Sequence, residues 1–137
     1  MPGSLVKITE TTVSSAVRSS TITGMDSTYD VYKIIYENSN YDYAAKKLKT
    51  YSSFQTVAQT NQNLARLTDE KLGDQAQETA NGILYIFNAS NSSEYTFWTM
   101  ENVNRDAGGN LMSMTGGGVL TVTSAVDGIF FFIDASN

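Results

Sequence analysis

The sequence predicts an all-β chain, a single antiparallel β-sandwich of jelly-roll-like form, with residues 1–137 as one domain. Three observations carry this reading. Hydrophobic residues recur with a period of two over most of the chain. Turn signals interrupt that rhythm at short, regular intervals. Strand and helix patterns do not alternate as a parallel sheet would require.

Taken in order, Leu5 to Val13 alternates β-branched and polar residues and reads as a half-buried strand. Val17 to Thr23 continues in that style and stops at Gly24, where Gly24-Met25-Asp26-Ser27-Thr28 forms a turn. Tyr29 to Tyr36 is the clearest strand of the first half. Tyr29, Val31 and Ile35 share one of its faces, and Tyr32, Ile34 and Tyr36 the other. Bulk on both faces predicts a central position between two layers. Glu37 to Asn40 ends it.

From Tyr43 to Leu72 local pattern leaves helix and strand both open. Ala44, Leu48, Tyr51, Phe54, Val57 and Ala58 approximate helical spacing, but Tyr51 to Val57 is weak in helix propensity. Beyond it, Gly82 to Asn88 is an apolar run bounded by turn residues, a buried strand, and Tyr95 to Met100 alternates again. Asp106 to Asn110 predicts a hairpin turn. Leu111 to Thr115 reads as a short strand, and Gly116-Gly117-Gly118 opens another at Val119 to Thr123. Asp127-Gly128 turns the chain into Ile129 to Ile133, the most apolar segment. About eight to ten short strands result, as an antiparallel sandwich or jelly roll requires.

Composition narrows the function. Hydrophobic residues make up 41% of the chain, enough to build a core without a metal or disulfide. Charged residues are only 17%, with Ser, Thr and Asn filling the gap, so the surface is polar without being ionic. A net charge of −5 speaks against nucleic acid, and the basic cluster Lys46-Lys47-Leu48-Lys49 is best read as a solvated edge. With no cysteine, folding does not depend on an oxidising compartment. No run approaches the roughly 20 apolar residues of a membrane span, and Met1 to Lys7 lacks the pattern of a signal peptide.

With neither histidine nor cysteine, Ser-His, Cys-His and the usual zinc constellations cannot be built within the chain. Asp69-Glu70 with Asp74 offers paired acids for glycoside hydrolysis, but no aromatic subsite adjoins them and a solvated loop is the better reading. Asp26, Asp30 and Asp42 match no ordered calcium loop and read as turn residues. Gly116-Gly117-Gly118 lacks the Lys-Ser/Thr of a phosphate loop, so a close backbone approach, a bulge or a tight turn explains it better. Asn88-Ala89-Ser90 and Asn91-Ser92-Ser93 fit the glycosylation pattern but read as loops. No catalytic, cofactor or metal residue is expected, and the chain is not expected to be an enzyme.

The aromatic residues are the remaining functional signal. Tyr41, Tyr43, Tyr51, Tyr95, Phe97 and Trp98 supply contact area for a core, a subunit interface or a saccharide. The candidate assembly residues are Phe130, Phe131 and Phe132, within a strand read as buried or inter-subunit, together with Tyr95 and Trp98.

Several blocks together resemble a family of small structural proteins of tailed bacteriophages, especially phages of marine bacteria, cyanobacteria among them. They are Ser4 to Ile8, Ile22 to Tyr32, Glu78 to Ala89, Gly116 to Leu120 and Ser124 to Ile129. The resemblance implies a β-sandwich virion protein, decorating the capsid or associated with the tail. It implies strands in the middle segment too, with Thr60 to Thr68 as one of them. It offers no catalytic residues. Relatives usually carry a longer insertion before Tyr41-Asp42-Tyr43-Ala44 and one more strand beyond Ser136-Asn137, so this chain resembles a compact version. The expected partners are further copies of itself, as a homo-oligomer with a trimer favoured, and other phage structural proteins. The alternative is a receptor- or glycan-binding module at a tail fibre or tip, with a host-surface glycan as partner. Assembly in the host cytoplasm and release by lysis would place the chain in the virion. Phe131→Asp is expected to disrupt folding or assembly; an unchanged oligomer of normal thermal stability would count against that assignment.

Overall fold

The computed structural model describes residues 4–14, 17, 19–39, 49–56, 64–66, 79–106 and 108–134, of which 38–39, 49–56, 64–66 and 132–134 are described by their backbone alone. Eight strands run among them: β1 (Ser19–Thr23), β2 (Val31–Ser39), β3 (Lys49–Thr56), β4 (Leu64–Arg66), β5 (Ala80–Phe87), β6 (Thr96–Arg105), β7 (Leu111–Leu120) and β8 (Val126–Asp134). All pairings are antiparallel. One sheet has the order β1-β8-β3-β4 and the other β2-β5-β6-β7. The two pack face to face, so the predicted antiparallel β-sandwich is the fold. The first sheet interleaves strands from both ends of the chain, whereas β5-β6-β7 is a simple meander.

The core follows from alternation. Tyr32 and Ile34 of β2, Leu84 and Ile86 of β5, Met100 of β6 and Leu120 of β7 face inward from the second sheet. They meet Val126 and Ile129 of β8, with Met25 and Ala89 from the connections. Leu84, Ile86 and Ile129 are fully buried, each stabilising the fold by about 1.5–3 kcal/mol through lost apolar exposure. Ile22 of β1 and Phe131 of β8 flank this cluster, and Phe131 meets Tyr36 across the sandwich at 6.0 Å between ring centres.

The β1–β2 and β5–β6 connections are tied by their backbones to the start of β8 and to each other. The Asp127 carbonyl accepts from the N–H groups of Gly24 and Met25, both at 3.1 Å. Val126 N–H donates to the Ala89 carbonyl at 2.6 Å, and Asn88 N–H to the Asp30 carbonyl at 2.9 Å. The buried Tyr32 reinforces this region. Its hydroxyl donates to the Asp26 carbonyl at 2.6 Å and accepts from the Asp26 N–H at 2.8 Å. At the β6–β7 turn, Asp106 Oδ1 accepts from the N–H groups of Gly108 and Asn110, and Gly109 takes a φ of 81° that glycine adopts without strain.

Several expectations are corrected. Residues 4–14 form no strand, and Leu5 and Val6 are exposed. Their alternation suits a ladder, but no described strand pairs with them. β2 lies at an edge rather than centrally, and its Val31–Ile35 face is open to solvent. Leu111 to Leu120 is one continuous strand through all three glycines, and Asp127-Gly128 lies inside β8 rather than in a turn. The middle segment does contain strands, β3 and β4. Of the expected strand Thr60 to Thr68 the described part is Leu64–Arg66; the remainder lies outside the described residues.

The glycines of β7 have a packing reason. Trp98 lies directly opposite Gly118, and a Cβ there would stand 2.7 Å from the Trp98 Cζ2 atom. At Gly116 the nearest atom would be Met100 Cε at 3.9 Å. Gly118→Ala should therefore cost about 1–3 kcal/mol through overpacking, while Gly116→Ala should be near neutral. Urea unfolding followed by the fluorescence of Trp98, the chain's single tryptophan, reads this directly. Equal stabilities would contradict the packing account.

Tyr36 makes a second such contact, its phenol lying over Gly82 and accepting from Asn102 Nδ2 at 2.6 Å. Burial raises the Tyr36 pKa above its ordinary 10.0, against the opposing effect of the Asn102 bond. A raised folded-state pKa contributes stability below the unfolded value and loses it as pH rises through the folded value. Stability should thus fall on the alkaline side of about pH 10, and Tyr36→Phe should make that fall shallower. At neutral pH the same variant should cost about 1–3 kcal/mol, because the buried Asn102 amide loses its acceptor. Chemical denaturation at pH 7 and across the alkaline range measures both effects.

Candidate functional site

The registers of the second sheet place its outward residues in rows. The first row is Val31, Phe87, Phe97 and Val119, one from each strand and each directly opposite the next. The second is Lys33, Tyr85, Thr99 and Gly117; the third is Ile35, Ile83, Glu101 and Thr115. An antiparallel sheet with one solvated face ordinarily carries polar residues there. Here the first row is wholly apolar, and Val31, Phe97 and Val119 are 49%, 46% and 38% exposed. Ile35, in the third row beyond Lys33 and Tyr85, is 56% exposed, with Ile83 half-buried beside it. Contiguous apolar surface of this kind marks an interaction site more often than scattered single residues do.

Next to the apolar row lies a shallow groove of about 520 Å³, lined by Tyr85, Thr99, Met100, Glu101, Thr115, Gly116 and Gly117. Gly117 leaves the groove open because it projects no side chain between Thr99 and the strand edge. The Lys33 ammonium stands 5.7 Å from the centre of the Tyr85 ring, on one side of that ring. The groove thus offers an aromatic face, three hydroxyls and one carboxylate. A lone carboxylate does not make the acid pair that glycoside hydrolysis needs. Among the described residues no group of three or more His, Cys, Asp or Glu could hold a metal ion.

The five candidate assembly residues do not share one surface. Trp98 faces inward over Gly118, and Phe131 packs against the core and Tyr36. Phe130 alternates to the other face of the first sheet and is half-buried. Phe132 pairs with Ser19 and Tyr51 through its backbone, and its side chain lies outside the described residues. Tyr95 is exposed just before β6. Tyr41, Tyr43, Lys46, Lys47, Leu48, Asp42, Asp69, Glu70 and Asp74 also lie outside the described residues, and Lys49 is described only by its backbone, at the start of β3.

Asp26 does what its turn position predicts. Its carboxylate accepts from the Thr28 N–H at 2.8 Å, and that bond is the main reason its pKa is lowered. Asn91 likewise accepts from the Ser93 N–H at 2.9 Å. What sequence reading missed is the cross-strand row. Its signal was the bulk on the Val31–Ile35 face, taken there as evidence of a covering layer. The chain matches no protein-family model, no curated protein and no solved structure.

Proposed function

We propose that the chain is an assembly module that acts by protein–protein contact, and that its setting is the virion of a tailed bacteriophage, on the capsid surface or in the tail. The observation that carries the assembly reading is the exposed apolar row Val31–Phe87–Phe97–Val119, which crosses all four strands of one sheet. Rigid strands present it as a flat surface, suited to another protein rather than to a small molecule. A weakly charged surface and the lack of cysteine suit a protein that folds in a reducing host and then persists outside it. The virion setting rests on the family resemblance of the sequence blocks.

A second reading is favoured by the groove beside Gly117. Its aromatic face, hydroxyls and carboxylate are the groups that hold a neutral saccharide, so a host-surface glycan is the alternative partner. Trp98, an earlier candidate for that contact, is committed to the interior, and Tyr85 takes its place.

Immunogold labelling of purified particles of the phage that encodes the chain tests the setting. Label on the shell or tail supports it, and absence of both label and chain from intact particles rejects it. Phe97→Glu should leave the fold intact, at a cost of no more than about 1 kcal/mol, and abolish incorporation into particles. Normal incorporation would remove the apolar row from the assembly reading. On a glycan array, Tyr85→Ala and Glu101→Gln should abolish binding if the second reading holds.

A further inference from the structure

The two sheets have four outer strands, and three of them carry the usual protection against edge pairing. β1 has five residues and β4 three. β2 carries Lys33 and Glu37, and its pairing with β5 is irregular between Tyr36 and Ser39. Short length, charge and bulges are how edges are blunted. β7 has none of these. It runs for ten residues, Leu111–Leu120, without a charge or a proline, and pairs with β6 without a register shift. Its other edge meets no described strand.

We propose that β7 pairs antiparallel with β7 of a second copy, about a two-fold axis at Thr115, to form one continuous sheet from two copies of β2-β5-β6-β7. The inference deepens the assembly reading by naming its first partner. Face and register single out this arrangement. Residues directly opposite across an antiparallel pair lie on the same face, so odd residues must meet odd and even meet even. With Thr115 opposite the partner's Thr115, Leu111 meets the partner's Val119 and Ser113 meets the partner's Gly117. On the inner face Met112 meets the partner's Gly118, and Met114 meets the partner's Gly116. Leu111, Met112, Met114 and Val119 then each lie opposite a glycine or another apolar side chain, Leu120 falls opposite Asn110 just outside the strand, and no like charges meet. Leu111, 79% exposed in the single chain, gains a cover. The next allowed register, centred on Gly116, pairs glycine with glycine and leaves Leu111 opposite Thr121, outside the strand. The favoured register also extends the apolar row by one strand, from Val119 to the partner's Leu111.

Sedimentation of the full chain over a range of concentrations should give a dimer. Thr115→Lys should raise its dissociation constant at least about tenfold by setting two ammonium groups face to face, and mixing with Thr115→Glu should restore dimers. The register has its own readout, because the chain has no native cysteine. Thr115→Cys should form a disulfide-linked dimer on oxidation, and Ser113→Cys should not. Should Thr115→Lys fail to fold, the cysteine pair decides alone. A monomer at every concentration, a trimer, or a dimer that Thr115→Cys does not cross-link overturns the proposal. Gold label on particles alongside a monomeric chain would reject this pairing and leave the virion reading intact; a cross-linked dimer absent from particles would do the reverse.

Discussion

Tyr36 lies across Gly82 and Trp98 across Gly118, each ring over the residue directly opposite on the neighbouring strand. A ladder can slip by one residue or by two. Slipping by one turns every inward side chain to solvent. Slipping by two would set Tyr36 against Ala80 or Leu84, and Trp98 against Gly116 or Leu120, three of which carry the side chain these rings displace. The Tyr36 ring over Gly82 therefore holds the β2–β5 ladder in one register, and the Trp98 ring over Gly118 bars one of the two such slips of the β6–β7 ladder. The core residues Leu84, Ile86, Met100 and Leu120 follow from that register. So does the outer row, since Val31, Phe87, Phe97 and Val119 align only when the inner faces do.

Much of the fold was legible because alternation is a local property. The inward set Tyr32, Ile34 and Tyr36 was visible in the sequence, as were the buried run around Leu84 and the turn at Asp106. The glycine triplet was read as a close backbone approach, a bulge or a tight turn; at Gly118 it is the side chain of Trp98 that approaches. Other features depend on partners that lie far away in the chain. The pattern of Leu5 to Val13 is that of a strand, yet alternation creates no ladder without a neighbour to bond. Leu111 to Leu120 was divided at its glycines because glycine weakens a strand locally. Opposite Trp98, glycine is what allows the strand to continue.

The candidate site shows the same limit from another side. Bulk on both faces of Tyr29 to Tyr36 was taken to mean two covering layers of this chain. A sequence does not distinguish a face covered by its own fold from one covered by another molecule, because both demand apolar residues at the same spacing. Trp98 and Phe131 illustrate the converse. Large aromatic residues suggest an interface when counted, and register alone assigns them to the interior. The exposed row Val31, Phe87, Phe97 and Val119 is recognised only by its alignment across four strands.

The position of β8 bears on how the molecule comes to exist at all. It is the last described strand in the chain, yet it stands between β1 and β3 and supplies the hydrogen bonds of both. Until residues 126–134 have left the ribosome, β1 has no partner among the described strands, and β3 has only the three-residue β4. The meander β5-β6-β7 is under no such restriction, since each of its strands bonds to the next one made. One half of the sandwich is thus available early, while the other waits for residues 126–134, the ordering expected when ladders join distant segments. During that interval the inner face of the meander has no opposite sheet, and its apolar side chains are held in solution only by whatever the unfinished chain can lay over them.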